Sequence, residues 1–216
     1  MRKYDVIIFD LDGTLSDSGE GITKSVQYAL EKFDIKEDNL DNLKHFVGPP
    51  LKEEFMKSYN LTEEQGMEAV KAYRERYIPI GIYETNLYQG IIELLDKLRE
   101  NGKMIAMATS KPQPLAEEVL KYLKIDSYFD FVMGADLIGG KQSKEDVLNA
   151  LMNVLPVKDR AKMLMIGDTC FDVLGAKDVG ISCVGVSYGY GDRMEMLDCG
   201  AIAVVDNALE LLEYIA

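Results

Sequence analysis

The chain has 216 residues, of which 47% are apolar and 28% charged, a balance typical of a folded protein with one full core or a core with a smaller insert. Its formal net charge of −13 argues against nucleic acid or an anionic membrane as a partner, because both require basic surfaces. Any site for an anion on so acidic a chain would need a local cation to reverse the field.

Cysteine content and the chain ends bear on cellular location. The three cysteines, an odd number without a CxxC pair, suit a reducing compartment better than a disulfide framework. Val6–Phe9 is too short for the core of a signal peptide, and no apolar stretch approaches the length of a membrane span. We therefore expect a cytoplasmic protein.

The first predicted elements are one strand and a group of helices. Val6–Phe9 is a continuous apolar run, which is typical of a strand buried on both faces of a parallel sheet. Residues 17–84 follow without a convincing strand and carry helical patterns instead. The predicted helices are Ile22–Lys32, Leu51–Tyr59 and Glu63–Tyr77, with a sharp turn at Gly48-Pro49-Pro50 between the first two.

From residue 85 onward, helical patterns alternate with short apolar runs. In chain order the patterns predict a helix at about 88–101, strand Met104–Ala108, a helix at about 112–124, strand Phe131–Met133, a helix at 144–154, strand Met163–Ile166, a helix at 170–179, strands Cys183–Val186 and Ala203–Val205, and a helix at 206–215. This alternation predicts an α/β fold with a doubly wound parallel sheet. The predicted core is 1–16 with 85–216, and 17–84 is a helical insert.

Acidic residues follow two of the predicted strands, at the sheet edge where open α/β proteins bind ligands. Asp10 and Asp12 follow the first strand, and Asp168 follows the strand Met163–Ile166. Since side chains alternate along a strand, Asp10 and Asp12 point the same way and repel each other unless a cation neutralises them. Mg²⁺ prefers carboxylate and phosphate oxygens, so this pattern favours a magnesium site.

Other polar residues at these ends suit an anion. Thr109 and Ser110 follow the strand Met104–Ala108, and Lys144 begins a predicted helix. Hydroxyl donors and a lysine are what a transferring phosphoryl group needs, because its transfer is catalysed mainly by positioning and charge stabilisation. Each residue also has an ordinary interpretation: Thr109 and Ser110 as turn residues, Lys144 as a solvated lysine, and Asp172 as a helix cap.

Together these motifs resemble the phosphatases of the haloacid dehalogenase superfamily over nearly the whole chain. The motifs are Asp10-Leu11-Asp12-Gly13-Thr14-Leu15, Thr109, Lys144, and Gly167-Asp168-Thr169-Cys170-Phe171-Asp172. The resemblance implies that Asp10 is the nucleophile and that Asp12 is the general acid and base. It further implies that Thr109, Ser110 and Lys144 bind phosphate.

The resemblance also implies a magnesium cofactor. Mg²⁺ would be held by the carboxylates of Asp10 and Asp168 and by the backbone carbonyl of Asp12, with Asp172 supporting the site from behind. Thr14 is typical of the phosphatase branch. Tyr188-Gly189-Tyr190-Gly191 also recurs in the similar branch, and no chemistry is assigned to it.

The insert at 17–84 is similar to the small cap of the phosphoglycolate phosphatase-like branch. Such caps close over the site and choose the leaving group, so Gly48, Pro49 and Pro50 are expected to face a small-molecule phosphate ester. A 5′-nucleotidase or a pyrophosphatase of the same superfamily is the alternative. A phospho-acceptor signalling domain is the alternative from another class, although such domains carry no insert of this size and take their acidic pair and phosphorylated Asp from different strands.

Overall fold

The computed structural model describes residues 4–137 and 143–215; residues 1–3, 138–142 and 216, all assigned to the predicted core, lie outside the described residues. The chain divides into two compact units, one comprising Met1–Asp17 with Leu87–Ala216 and the other comprising Ser18–Asn86. The sequence pattern predicted 1–16 with 85–216 and 17–84 for these units.

The strands and helices are named in chain order. The strands are β1 Val6–Phe9, β2 Ser16–Asp17, β3 Asn86–Leu87, β4 Met104–Pro112, β5 Phe131–Ala135, β6 Met163–Gly167, β7 Ser182–Val186 and β8 Ala203–Val205. The α-helices are α1 Gly19–Glu31, α2 Leu51–Tyr59, α3 Glu63–Tyr77, α4 Ile91–Glu100, α5 Gln113–Tyr122, α6 Lys144–Val154, α7 Cys170–Asp178, α8 Arg193–Cys199 and α9 Leu212–Ile215.

The core unit is built on a six-stranded sheet in the order β5-β4-β1-β6-β7-β8. Every neighbouring pair in it is parallel. From β1 the chain moves first to β4 and β5 on one side, and then returns to β6, β7 and β8 on the other. The topological switch therefore lies at β1 and β6, and the residues after these two strands face the crevice where such sheets bind ligands.

Burial explains why the central strands read as continuous apolar runs. All four residues of β1 are fully buried, because helices cover both faces of a parallel sheet. One cluster joins Val6 and Ile8 of β1 to Val147 and Leu151 of α6 and to Val173 of α7. The predicted doubly wound α/β core is confirmed, and apolar packing against α6 and α7 fixes the positions of their first residues.

Three features of the core unit differ from the predicted pattern. Strand β4 runs to Pro112 rather than ending at Ala108, and its register against β5 shifts between Thr109 and Pro112. Helix α8 was not predicted, because it spans only seven residues, although Asp192 caps its start and Gly200 lies in the left-handed region at its end. The predicted last helix is instead a 3₁₀ turn, Ala208–Leu211, followed by α9.

The second unit contains three helices packed on one another. Helix α1 packs against α3, and α2 packs against α3. Thr62 and Gln65 form a capping box that starts α3, and Phe46 packs its ring 4.8 Å from that of Phe55. No helix among residues 4–137 and 143–215 is long and apolar enough to cross a membrane.

The structure corrects the expectation about cysteines. Cys170, at the start of α7, forms a disulfide with Cys199, at the end of α8, and Cys183 is buried as a free thiol. The expectation that an odd number of cysteines disfavours a disulfide is therefore wrong for this pair. The cytoplasmic location stays a prediction, and one of its grounds is removed.

This disulfide predicts a measurable share of stability. Its ends are 29 residues apart in sequence, and closing a loop of that length in the unfolded chain is worth about 2–4 kcal/mol. We expect dithiothreitol to lower the free energy of unfolding of the wild type by that amount in urea titrations. The double variant C170S/C199S should start at the lower value and not respond to dithiothreitol. A reductant effect of equal size on both proteins would contradict a role for this bond.

Candidate active site

Lys144 joins two of the predicted acidic residues. It is the first residue of α6, which Ser143 starts through a capping box with Asp146. Its Nζ lies 2.9 Å from Asp10 Oδ1 and 2.8 Å from Asp172 Oδ1, and it donates to the Ala108 carbonyl at 3.0 Å. A lysine at a helix N-terminus is otherwise slightly unfavourable, so these carboxylates account for its position.

Asp168 is fixed by the turn that follows β1 and by the loop that follows β7. Thr14 Oγ1 donates to one carboxylate oxygen at 3.3 Å, and the backbone N–H of Tyr190 donates to the other at 2.8 Å. Gly13 has a φ of +82°, and a Cβ there would lie 2.0 Å from Asp168 Oδ2. Glycine is thus required at position 13 both by the backbone and by the approach of this carboxylate.

Asp172 has two roles that the sequence left open. Its Oδ2 accepts hydrogen bonds from the backbone N–H and the hydroxyl of Thr169, which completes a capping box at the start of α7. Its other oxygen, Oδ1, is the one beside Lys144. The capping interpretation is therefore right for one oxygen, while the other belongs to the acidic group.

Asp10, Asp168 and Asp172 form one buried acidic group, with a ligand atom from each lying within 4.8 Å of the others. Burial raises the pKa of Asp10 to about 6, against the opposing effect of Lys144. Burial, followed by the charges of Asp172 and Asp10, holds the pKa of Asp168 well above its ordinary value. The two neighbouring carboxylates raise the pKa of Lys144 although burial alone would lower it.

The composition of this group fits a hard divalent cation. Carboxylate oxygens are the donors that Mg²⁺ prefers, and one lysine does not balance three buried carboxylates. Oδ1 of Asp10 and Oδ1 of Asp172 are buried. Among the described residues, each is in an ion pair with Lys144 but accepts no hydrogen bond of good geometry. The predicted backbone contact from Asp12 and the supporting role of Asp172 stay predictions.

Asp12 lies in a different environment from Asp10. Its side chain is buried, and its Oδ2 lies 2.7 Å from Lys111 Nζ. Its Oδ1 is buried and has no hydrogen-bond partner within the described part of the chain. The two aspartates that were predicted to repel each other are therefore each held by a separate lysine, Asp10 by Lys144 and Asp12 by Lys111.

The structure places the predicted phosphate-binding hydroxyls at the irregular end of β4. Thr109 is buried, and its Oγ1 accepts a hydrogen bond from the backbone N–H of Lys111 at 3.2 Å. Ser110 is half-buried between them. The shift in register after Thr109 breaks the alternation of side chains, and Lys111 reaches Asp12 from this segment. Lys111 directly follows the strand-end hydroxyls in the sequence, but it was assigned no role at the site from the sequence alone.

The segment Tyr188–Gly191, to which no chemistry was assigned from the sequence, also contacts the site. Besides the bond from Tyr190 to Asp168, the Tyr188 hydroxyl donates to the Thr14 carbonyl at 3.1 Å. A Cβ at Gly189 would lie 2.3 Å from the Gly13 carbonyl oxygen and 2.4 Å from Asp168 Cβ. The segment thus packs directly on the first and fourth motifs. Its bond to Asp168 is made by a backbone N–H, so the recurrence of the motif gave a signal but the residue types gave no role.

The predicted cap loop belongs to the second unit. Gly48 has a φ of +103°, and Pro50 occupies the position directly before α2. These observations support the sharp turn that Gly48-Pro49-Pro50 predicted. The expected contact of these three residues with substrate stays a prediction.

Comparison with known proteins identifies the family. Residues 7–186 match the family model described as haloacid dehalogenase-like hydrolase. The chain belongs to this family. The predicted membership, in its phosphoglycolate phosphatase-like branch, is confirmed, and the chain is an enzyme of the phosphatase kind.

Several relatives are similar over most of their length. A 5′-nucleotidase from Pseudomonas aeruginosa is 42% identical over 90% of this chain and 87% of its own. Tyrosine-protein kinase PtkA from Mycobacterium tuberculosis is 39% identical over 96% of this chain and 70% of its own, and a phosphoglycolate phosphatase from Vibrio parahaemolyticus is 30% identical over 100% and 99%. A crystal structure of a predicted phosphatase from Clostridium acetobutylicum has a TM-score of 0.95 at 42% identity, covering 98% of each chain.

Proposed function

We propose that this haloacid dehalogenase-like enzyme is a Mg²⁺-dependent phosphomonoester hydrolase that forms an aspartyl phosphate on Asp10. The observation that carries the proposal is that Asp10 and Asp12 lie in different environments. One carboxylate lies in the acidic group with Lys144, and the other is paired with Lys111 and has one oxygen without a partner among the described residues. Two neighbouring carboxylates in different environments suit different chemical tasks.

The first step transfers the phosphoryl group to Asp10. A carboxylate oxygen of Asp10 attacks phosphorus, the bond from phosphorus to the ester oxygen breaks, and Asp12 donates a proton to the departing alcohol. In the second step Asp12 takes a proton from water as the water oxygen attacks phosphorus. The bond from phosphorus to Asp10 then breaks, which releases inorganic phosphate and restores Asp10 as a carboxylate and Asp12 as the protonated acid.

The remaining residues hold the phosphoryl group and the metal. Thr109 and Ser110 supply hydroxyls, and Lys144 supplies a cation that also orients Asp10. Asp10, Asp168 and the Asp12 carbonyl would hold Mg²⁺, with Asp172 fixed beside them by its capping bonds. When bound, Mg²⁺ neutralises the acidic group and stabilises the charge on the phosphoryl oxygens.

Multiple turnover is the direct test. With p-nitrophenyl phosphate and Mg²⁺, we expect the protein to release many equivalents of p-nitrophenol. A phospho-acceptor signalling domain would stop near one equivalent, and that result would contradict the proposal.

The physiological substrate is proposed to be a small phosphometabolite, and its identity depends on residues of the cap. Two candidates are supported by named relatives: 2-phosphoglycolate, and a nucleoside 5′-monophosphate, which the 42% identity to a 5′-nucleotidase favours. We expect kcat/KM for the preferred ester in a panel to exceed that for p-nitrophenyl phosphate. A double substitution of Pro49 and Pro50 by alanine should change the ranking within the panel while preserving turnover of the small aryl ester.

The kinase name of one relative suggests a second fate for the phosphoryl group, which is transfer to a tyrosine hydroxyl in place of water. Intact-mass spectrometry after turnover distinguishes the two fates. We expect inorganic phosphate as the product and no stable phosphorylated form of the protein, whereas a stable phosphotyrosine would favour the kinase interpretation.

A further inference from the structure

Lys111 and Asp12 form an ion pair that is almost completely buried. The two side chains are 5% and 10% exposed, and Nζ lies 2.7 Å from Oδ2. Burying an ion pair is weak evidence for stability, because the loss of hydration offsets most of the attraction. A pair of this kind beside the nucleophile Asp10 therefore calls for a functional explanation.

The two oxygens of Asp12 are not equivalent. Oδ2 contacts the ammonium group of Lys111, whereas Oδ1 is buried and has no hydrogen-bond partner within the described residues. A buried oxygen without a partner is costly unless a ligand supplies one. Oδ1 is thus the oxygen of Asp12 that is suited to exchange a proton with a bound molecule.

The backbone on both sides of the pair is fixed independently. On one side, the Gly13 N–H donates to the Ser16 carbonyl at 2.8 Å, which closes a tight turn directly after Asp12. On the other, the Lys111 N–H donates to Thr109 Oγ1 in the irregular end of β4. With both backbones fixed, the ion pair determines the rotamer of the Asp12 carboxylate.

We propose that Lys111 is the positioning residue of the general acid and base. By holding Oδ2 of Asp12 it presents Oδ1 to the ester oxygen that departs and then to the water that attacks. This inference rests on the proposed function, because it assigns the proton transfers to Asp12. Lys111 itself transfers no proton in this scheme.

Leaving-group dependence separates this role from simple structural support. Phenyl phosphate and p-nitrophenyl phosphate are similar in shape, but the phenol oxygen is far more basic and needs a proton as it departs. In K111M we expect the pre-steady-state release of phenol to fall about 100-fold and that of p-nitrophenol by less than about 5-fold, since general acid catalysis contributes about 10²–10⁴-fold. K111R keeps the charge, and in it we expect the release of phenol to fall about 10-fold with a smaller loss for p-nitrophenol. This variant gives a result if K111M does not fold.

Two further variants complete the test. D12N should show the same split as K111M, and K111M/D12N should be no slower than D12N, because residues that act as a unit are not additive. Lys103 is a matched control: it is buried, donates to the carbonyls of Tyr4 and Ile215, and precedes β4 at the opposite end of that strand. K103M should show no dependence on the leaving group.

The outcomes are distinct. The positioning role would be overturned if K111M or K111R lost the same factor in rate with both esters. It would also be overturned if the rate losses of K111M and D12N were additive in the double variant. The proposed function would fail instead if the wild type released neither phenol nor p-nitrophenol. It would also fail if D10N released both products at wild-type rates.

Discussion

Replacing Asp10 with asparagine is expected to reduce turnover of p-nitrophenyl phosphate by at least about 10³-fold, because the amide keeps the shape of the side chain but removes the nucleophile. The fold should not suffer. Burial raises the pKa of Asp10 to about 6, which means that the folded state disfavours its charged form. Lys144 also keeps a second carboxylate partner in Asp172. The thermal midpoint of metal-free D10N should therefore equal or exceed that of the wild type.

A matched control for this variant is available on the same strand. Asp5 precedes β1 at the end opposite Asp10, where its backbone N–H donates to the Lys162 carbonyl. D5N makes the same chemical change at a half-buried position on the far side of the strand from Asp10, and it should keep turnover within about 2-fold. Turnover by D10N at a rate near that of D5N would show that another group attacks phosphorus.

The second large effect is expected on removal of Mg²⁺ and in D168N. EDTA should abolish turnover, and added Mg²⁺ should restore it in the wild type but not in D168N. Mg²⁺ should also raise the thermal midpoint of the wild type, since a ligand at about 100 times its Kd stabilises a fold by about 2.7 kcal/mol. D168N should show little of this stabilisation, because the substitution removes one of three buried carboxylates.

Without metal, the same substitution should stabilise the protein or leave its stability unchanged. The pKa of Asp168 is raised in the folded state, so its contribution to stability is present below the unfolded value of about 3.9 and is lost as pH rises through the folded value. The wild type therefore loses this contribution as pH rises, whereas D168N has no such titration, so the stability of D168N relative to the wild type should increase with pH. D178N, at the exposed end of the same helix, is the control. Equal stabilisation by Mg²⁺ in wild type and D168N would place the metal elsewhere.

The positions of the strands and of the main site residues could be predicted because one physical rule governs both. Strands buried on both faces read as apolar runs, and the residue after each run lies at the ligand-binding edge. Asp10 and Asp168 were found in this way, whereas Lys144 was found as the first residue of a predicted helix. The structure brings all three together with Asp172. Their chemical roles came from resemblance to a family rather than from spacing.

Other features depend on contacts that a linear pattern does not contain. Lys111 reaches Asp12 from a break in strand register, and Tyr190 reaches Asp168 through a backbone N–H that any residue could supply. Cys170 and Cys199 meet because α7 packs beside α8, a helix too short to be predicted. The proposed contacts of Gly48, Pro49 and Pro50 with substrate stay predictions, because such contacts depend on a ligand rather than on the fold.

Chemical trapping of the intermediate tests the central claim most directly. The enzyme would be quenched in acid during steady-state turnover with Mg²⁺, reduced with borohydride, and mapped by peptide mass spectrometry. An acyl phosphate is reduced to the alcohol, so an aspartyl phosphate on Asp10 predicts homoserine at position 10 and unmodified Asp12. Homoserine at another position, or none during rapid turnover, would contradict the role assigned here to Asp10.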